Sequence, residues 1–357
     1  MVFRRQWLSW SLGGLLLVGC GGAPPSPPPV AVHSGDETSG SFSSERAWQD
    51  LEALAGAGTR APGSRGADAA RAYITDALDW VGLSVEERVT PVEIEGLEPF
   101  DLTHLSVTIP GRSGDRFILA AGYDSDHFVE FENPGVNLGA SGAALLIEVA
   151  RVLAADTPEY TVQLLFIEGD GRLGLGERRT AEKRGLGSEL LARQMQEAGE
   201  LEGVRLLIAF KGVCDADLGI ARDLFSQRHH REEFWRVARS LGYGDIFERD
   251  AIFQSVEAPH RAFMAQGLRS VVAVVDTAYG GVDPPGIYAD GEDDVLEHCS
   301  PRSMRIVGTV TLRALDQIGA RLSRVDEFTR RPLAVPVAEA DMRGGAMAPA
   351  AAGGEGE

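Results

Sequence analysis

The chain has 357 residues, with 34 Lys and Arg against 53 Asp and Glu, and a formal net charge of −19. This acid surplus argues against nucleic acid as a partner, because binding to phosphate backbones needs clustered Lys and Arg. A hydrophobic fraction of 44% with 24% charged residues excludes wholesale disorder, and three cysteines are too few for a disulfide scaffold.

The first residues have the pattern of a lipoprotein signal peptide. Arg4 and Arg5 give a basic start, and a short apolar run follows that is too short to span a bilayer. It ends in Leu17-Val18-Gly19-Cys20, which matches the lipobox of bacterial lipoproteins, in which the cysteine is acylated. We therefore predict a signal peptide over residues 1–19 and a lipid anchor at Cys20. The alternative is an ordinary secretory signal with a chance cysteine. Because Gly21 rather than Asp follows the cysteine, we expect sorting to the outer membrane of a bacterial envelope.

Low-complexity segments lie on both sides of the predicted folded region. Residues 20–42 are rich in Pro, Gly and Ser, which is typical of an extended tether. Residues 332–357 are rich in Ala, Gly and Pro, which predicts a disordered tail. The remaining residues, 43–331, are long enough for one domain.

Helical and strand-like segments alternate along that domain. The predicted helices cover 44–57, 67–80, 140–154, 229–241 and 301–322, and the predicted strands cover 84–90, 104–109, 117–121, 162–167, 204–210 and 270–275. Several of these strands are continuous apolar runs, as expected where both faces of a strand are covered. The alternation predicts a three-layer α/β/α fold with a mixed, mostly parallel central sheet.

Two short motifs suggest chemistry that their surroundings do not support. Residues 169–174 satisfy G-x-G-x-x-G after a predicted strand, but the residues that follow, up to Gly185, have too little apolar content for a helix that packs on a sheet. We interpret them as a polar surface loop. Residues 139–142 suggest a serine nucleophile, yet Ala143 stands where the nucleophile elbow needs Gly. We interpret Ser141 as the cap of a helix N-terminus.

Seven segments, in one order along the chain, carry a family resemblance. Gly122-Tyr123-Asp124-Ser125 stands where the family has His-Tyr-Asp-Ser/Thr, and residues 137–142 stand where it has Asn-Asp-Gly-Ala-Ser-Gly. The other matching segments are 58–64, 166–171, 210–213, 256–260 and 288–301. From Gly58 to Val307 the chain thus resembles the zinc aminopeptidase and glutaminyl-peptide cyclotransferase superfamily. The resemblance implies a zinc-exopeptidase-like fold.

The resemblance also places the family's zinc site on particular residues. Its five ligand positions fall on Gly122, Leu138, Gly171, Lys211 and Asp290, the last of which becomes Ala289 if counted forward from Tyr288. The acid/base position falls on Asp170. Glycine and leucine have no donor atom and an ammonium group repels a cation, so of the five only Asp290 can still bind a metal. We therefore expect a degenerate member with no cofactor, in which Asp170 has no catalytic function.

The remaining polar residues of the former site allow further expectations. Asp124, which orients the first histidine in the family, has none to orient here. An uncompensated buried charge is costly, so we expect Lys211 to pair with Asp124, Asp170 or Asp290. We assign His260 to the pocket as a buried histidine with a hydrogen bond rather than a metal ligand.

The acidic loops offer an alternative metal site, which we judge less favourable than solvated loops. The residues concerned are Asp124, Asp126, His127 and Glu130 in one loop and Asp293, Asp294 and His298 in the other. Whether Cys214 pairs with Cys299 is left open.

Three functions remain from the sequence. The first is a lipid-anchored pseudoenzyme that binds a peptide end or an envelope protein through the former active-site cleft. The second is residual peptidase or glutaminyl-peptide cyclotransferase activity with an altered site. The third is a structural envelope lipoprotein. In each, the membrane is a partner through Cys20, and nucleic acid is not.

Overall fold

The computed structural model describes residues 41–94, 99–126, 128, 131–173, 184–247, 253–281, 283–289 and 291–330. All of these belong to one compact unit, Thr38–Glu357. The predicted signal peptide and tail, Cys20 and all but the last two residues of the tether lie outside the described residues, as do His127, Glu130 and Asp290. Expectations about these residues stay predictions.

A six-stranded sheet forms the centre of the described chain. Its strands are β1 (Val85–Val92), β2 (Phe100–Ile109), β3 (Ser113–Gly122), β4 (Tyr160–Ile167), β5 (Val204–Lys211) and, after the small pair β6 (Arg222–Asp223) and β7 (Phe253–Gln254), β8 (Val271–Val275). The order is β1-β2-β4-β3-β5-β8. The pairs β1–β2 and β2–β4 are antiparallel, whereas β3–β4, β3–β5 and β5–β8 are parallel. This confirms the predicted mixed, mostly parallel sheet.

Helices cover both faces of the sheet. They are α1 (Ser44–Gly56), α2 (Arg65–Asp79), α3 (Ser141–Ala154), α4 (Leu186–Glu197), α5 (Arg228–Ser240), α6 (Gly244–Phe247), α7 (His260–Ala265) and α8 (Pro301–Arg330). Side chains alternate along β3, so that Phe117 and Leu119 pack in the core with α1, α3 and α8, whereas Ile118 packs with α4 and α7. Apolar residues on both faces explain the uninterrupted hydrophobic runs, and the three-layer prediction is confirmed.

Helix α3 is the central helix of the larger core. The segment Val136–Ala154 is long and apolar enough to cross a membrane, but 78% of its most apolar window is buried inside the fold. A turn of π-helix, Val136–Ala140, precedes α3. The N-cap residue of α3 is Ala140, which has no side chain that can cap the helix by a hydrogen bond. The prediction that Ser141 caps the helix is wrong. Its hydroxyl instead donates to the Asn137 carbonyl at 2.5 Å and accepts from the Val213 N–H at 3.0 Å.

The topology brings the ends of the parallel strands to one edge of the sheet. Gly122 ends β3 and Lys211 ends β5, while Asp170 lies three residues beyond the end of β4. In open α/β sheets this carboxyl edge is where ligands bind. A disulfide between Cys214 and Cys299 joins the segment after β5 to the start of α8, which decides the pairing that the sequence left open.

Candidate functional site

A cavity of about 310 Å³ opens at the carboxyl edge of β3, β4 and β5. The lining of this cavity contains most of the residues that the resemblance assigns to the family's zinc site. They are Gly122, Asp124, Leu138, Asp170, Gly171 and Lys211. Asp290 lies outside the described residues.

Asp124 follows β3 and is 2% exposed. Its Oδ2 atom accepts a hydrogen bond from the Gly171 N–H at 2.8 Å. Its Oδ1 atom faces Gly122, where a Cβ atom would come within 3.4 Å of it. Burial, and then the nearby charge of Asp170, raise the pKa of Asp124 to about 8.

Asp170 lines the cavity and has one buried carboxylate oxygen without a described partner. Its Oδ1 atom accepts from the Ser188 N–H at 2.8 Å, whereas Oδ2 is buried and has no hydrogen-bond partner within the described part of the chain. Helix α4 can approach this closely because of Gly187, where a Cβ atom would come within 1.8 Å of the Glu168 carbonyl oxygen. Burial raises the pKa of Asp170, although the Ser188 hydrogen bonds and the charge of Lys211 oppose the rise.

Lys211 is partly buried in the cavity wall at the end of β5. Its ammonium acts electrostatically on Asp170, but it makes no ion pair within 4.0 Å with any carboxylate that the structure describes. The expected direct ion pair is therefore wrong for Asp124 and Asp170, whereas pairing with Asp290, outside the described residues, stays a prediction. Both of those carboxylates instead accept backbone N–H groups, which hold them in place without the lysine.

Two more buried charges fix the backbone around the cavity. The Arg60 guanidinium donates to the carbonyls of Tyr123 at 2.8 Å, Pro134 at 2.5 Å and Gly135 at 2.8 Å. Burial lowers its pKa to about 10. The Asp294 carboxylate accepts from the N–H groups of Asn137 and Leu138, and burial raises its pKa to about 6. The matching segment 58–64, which is the loop before α2 and is called the opening loop below, is thus anchored through Arg60.

The similarities of the chain to known proteins agree with this geometry. Residues 105–315 match the model of Peptidase family M28. The chain belongs to Peptidase family M28. No curated protein matches the chain in sequence.

Solved structures with the M28 fold include both cyclases and peptidases. A glutaminyl cyclase from an Acidobacteriales bacterium is 23% identical, with a TM-score of 0.72 over 84% of this chain and 100% of that one. A leucine aminopeptidase precursor from Bacteroides thetaiotaomicron is 19% identical, with a TM-score of 0.68 over 77% and 97%. A Zn-dependent exopeptidase from Parabacteroides distasonis is 17% identical, with a TM-score of 0.68 over 77% and 98%. At these identities, the similarity establishes the fold.

The residues of this M28 site do not fit the zinc ion of the family. Three of the described ligand positions, Gly122, Leu138 and Gly171, carry no donor side chain, and the fourth is the cation Lys211. Across the residues that the structure describes, no group of three His, Cys, Asp or Glu side chains is arranged to hold a metal. The charged groups at the assigned site positions are instead the carboxyl groups of Asp124 and Asp170 and the ammonium group of Lys211, among other charged residues of the cavity lining.

The acidic loops are less solvated than the sequence suggests. Asp126 is 12% exposed, and its Oδ2 atom lies 3.2 Å from Nη2 of Arg184. Asp294 is 1% exposed. For both, the prediction of a solvated acid is wrong, because each is satisfied by a partner distant in the chain. His298 stacks on Tyr288 with ring centroids 3.6 Å apart, outside the cavity lining.

The structure corrects the placement of His260. It is the first residue of α7, its side chain is fully buried, and Nε2 lies 3.2 Å from Oδ2 of Asp223. Its neighbours Pro259 and Arg261 line the cavity, but His260 does not, because its ring faces the Asp223 carboxylate instead.

Several residues of the cavity wall escaped the sequence reasoning. They are Arg184, Ser188 and Glu189 around the start of α4, and Arg261 on α7. These residues belong to no distinctive sequence motif. Only the folded chain brings them to the cavity.

Proposed function

We propose that this M28 protein does not use the family's zinc and acts by binding a ligand in the cavity at the carboxyl edge of β3, β4 and β5. One observation carries the proposal. The described positions that the resemblance assigns to metal ligands are Gly122, Leu138, Gly171 and Lys211, and they line one cavity of about 310 Å³ together with Asp124 and Asp170. A site that loses its metal donors but keeps a polar cavity supports recognition without the family's chemistry.

We further propose that the protein is lipid-anchored through Cys20 in a bacterial cell envelope, at the outer membrane. The basic start, short apolar run and lipobox support this. The Cys214–Cys299 disulfide also favours an oxidising compartment outside the cytoplasm. The ligand is then a peptide end or a segment of another envelope protein, and the negative net charge disfavours nucleic acid.

A turnover assay tests the loss of chemistry. The purified protein, supplied with zinc, is offered aminoacyl and N-terminal glutaminyl substrates. We expect no turnover, because no described ligand position carries a donor. Turnover that needs zinc would contradict the proposal and support the alternative of residual activity, for which Asp170, at the acid/base position with a free oxygen, would be responsible.

A restored variant checks the assignment of positions. It combines Gly122→His, Leu138→Asp, Gly171→Glu and Lys211→Asp. We expect this variant alone to bind zinc. The matched control is Gly114→His, at an exposed glycine where a Cβ atom meets nothing within 4 Å. Zinc binding by the control or its absence in a folded restored variant would contradict the assignment.

A further inference from the structure

We propose that Lys211 is a nucleophile, whose side-chain amine forms an imine with a small aldehyde or ketone that enters the cavity. This assigns a second class of ligand, a carbonyl compound, to the cavity for which a peptide ligand is proposed above. The inference rests on the proposed function in one respect, because it requires a cavity that zinc does not fill.

The first reason is the type of residue at this position. Of the 34 Lys and Arg residues in the chain, only Lys183 and Lys211 are lysines. Among the described residues, every ion pair has an arginine or a histidine as its cation. The described fold thus uses guanidinium groups for its charge contacts, whereas the cavity contains an amine. The difference is chemical, because a guanidinium stays protonated and an amine can lose a proton and attack a carbonyl carbon.

The second reason is the position of the Lys211 side chain. Lys211 is the last residue of β5, is only partly buried and lines the cavity, so that a small molecule in the cavity can reach it. Within the described part of the chain, no carboxylate lies within 4.0 Å of its ammonium group. No described ion pair therefore has to break before the nitrogen contacts a ligand. A volume of about 310 Å³ suits a small organic molecule.

The charges of the lining suit the product of this reaction. The lysine ammonium loses a proton to solvent, and the nitrogen lone pair then forms a bond to the carbonyl carbon. The carbonyl oxygen leaves as water with two protons that the ammonium carried, and a cationic iminium with one N–H remains. The cavity lining has six acidic and three basic residues, and the charge of Lys211 acts on Asp170. Such a lining stabilises a cation and opposes the anionic carbamate that an amine forms with carbon dioxide.

Reductive trapping on the purified full chain tests the inference. The probe is butanal with sodium cyanoborohydride, which reduces an iminium to a stable secondary amine, and peptide mapping by mass spectrometry locates the product. Lys183, the other lysine of the sequence, is the internal control. We expect Lys211 to react about tenfold or more faster than Lys183, because the cavity holds the aldehyde beside the amine. For the same reason, its rate should saturate with butanal concentration. Equal rates at the two lysines, or a rate at Lys211 that stays linear in butanal, would overturn the inference.

Two conservative variants assign the amine that is trapped. Lys211→Arg keeps a cation in the cavity and removes the nucleophile, so the saturable incorporation of butanal should disappear. Lys183→Arg should retain it. Saturable incorporation that persists in folded Lys211→Arg would contradict the assignment. Zinc is measured in the same samples: stoichiometric zinc would refute the proposed function itself, whereas a zinc-free protein without preferential reaction at Lys211 would refute only this inference.

Discussion

Three buried polar side chains, Asp124, Asp170 and Arg60, hold the backbone around this cavity by hydrogen bonds. Asp124 and Asp170 accept backbone hydrogen bonds that do not depend on a metal, and Arg60 donates to five backbone carbonyl groups, those of Leu54, Gly58, Tyr123, Pro134 and Gly135. Charged groups in the interior are retained only where such partners exist. The hydrogen bonds of the described residues around the cavity therefore do not require a bound metal.

Asp124 makes stability depend on pH in a defined direction. Its pKa in the folded protein is raised to about 8, so the folded state binds more protons than the unfolded state above an ordinary aspartate pKa of about 4. Its contribution to stability is present below about pH 4 and is lost as the pH rises towards 8. We expect Asp124→Asn to match the parent at low pH and to be about 1–3 kcal/mol more stable near pH 8. Urea unfolding at both pH values measures this.

The matched control for that prediction is Asp101→Asn, because Asp101 is exposed. Its effect on the free energy of unfolding should be small and the same at both pH values. An Asp124→Asn variant whose stability relative to the parent did not change with pH would contradict the role of the buried carboxylate.

Arg60 is the second residue with a predicted large effect. Replacement by Met removes the guanidinium donor of five backbone carbonyl groups, and we expect a loss of about 3–5 kcal/mol in the free energy of unfolding. Arg65→Met, at an exposed position in the first turn of α2, should change it by about 0.5 kcal/mol or less. Similar unfolding midpoints for the two variants would show that the Arg60 contacts do not stabilise the opening loop.

At the level of elements, the sequence predicts the long and strongly patterned parts well. All six strands of the main sheet and the helices α1, α2, α3, α5 and α8 appear where periodicity predicted them. Continuous apolar runs such as that of β4 leave little ambiguity, because both faces of the strand are buried. The end of α8 is less well predicted, since it continues to Arg330 rather than ending near Leu322.

The sequence did not predict helices α4 and α7, nor the contacts between distant segments that complete the cavity wall. Helix α4 is preceded by Gly185, an N-cap residue in the left-handed region with φ 72° and no capping side chain, and α7 has six residues, too few for a periodic pattern. The contact between Asp126 and Arg184 and the hydrogen bonds between Asp294 and the turn before α3 join distant segments. The local spacing of residues in the sequence does not predict such contacts, because they depend on tertiary packing.

The disulfide joins two segments that are distant in the sequence. It connects Cys214, after β5, to Cys299, before α8, which are 85 residues apart. Constraint of the unfolded chain by such a long loop contributes about 2–5 kcal/mol. We expect the Cys214→Ala, Cys299→Ala double variant to unfold at a lower urea concentration than the oxidised parent, and reductant to lower the midpoint of the parent only. Free thiols at both positions in the denatured, unreduced parent would contradict the pairing.

At the scale of the whole molecule, the proposal to test is that the chain is anchored to a membrane by a lipid on Cys20. We expect the parent to fractionate with membranes and to incorporate palmitate, and Cys20→Ala to do neither, because acylation requires the cysteine thiol. Cys214→Ala, Cys299→Ala is the control, since it removes two cysteines and leaves the lipobox intact. Membrane association of Cys20→Ala equal to that of the parent would exclude the lipid anchor.

The central claim is that an M28 fold has kept its cavity and lost its metal. The most direct test is the zinc content of the full-length protein, purified in the presence of zinc and then freed of unbound metal by gel filtration. We predict less than about 0.1 zinc ion per chain, because Gly122, Leu138 and Gly171 offer no donor and Lys211 repels a cation. One zinc ion retained per chain, and lost in Asp124→Asn or Asp170→Asn, would contradict the claim.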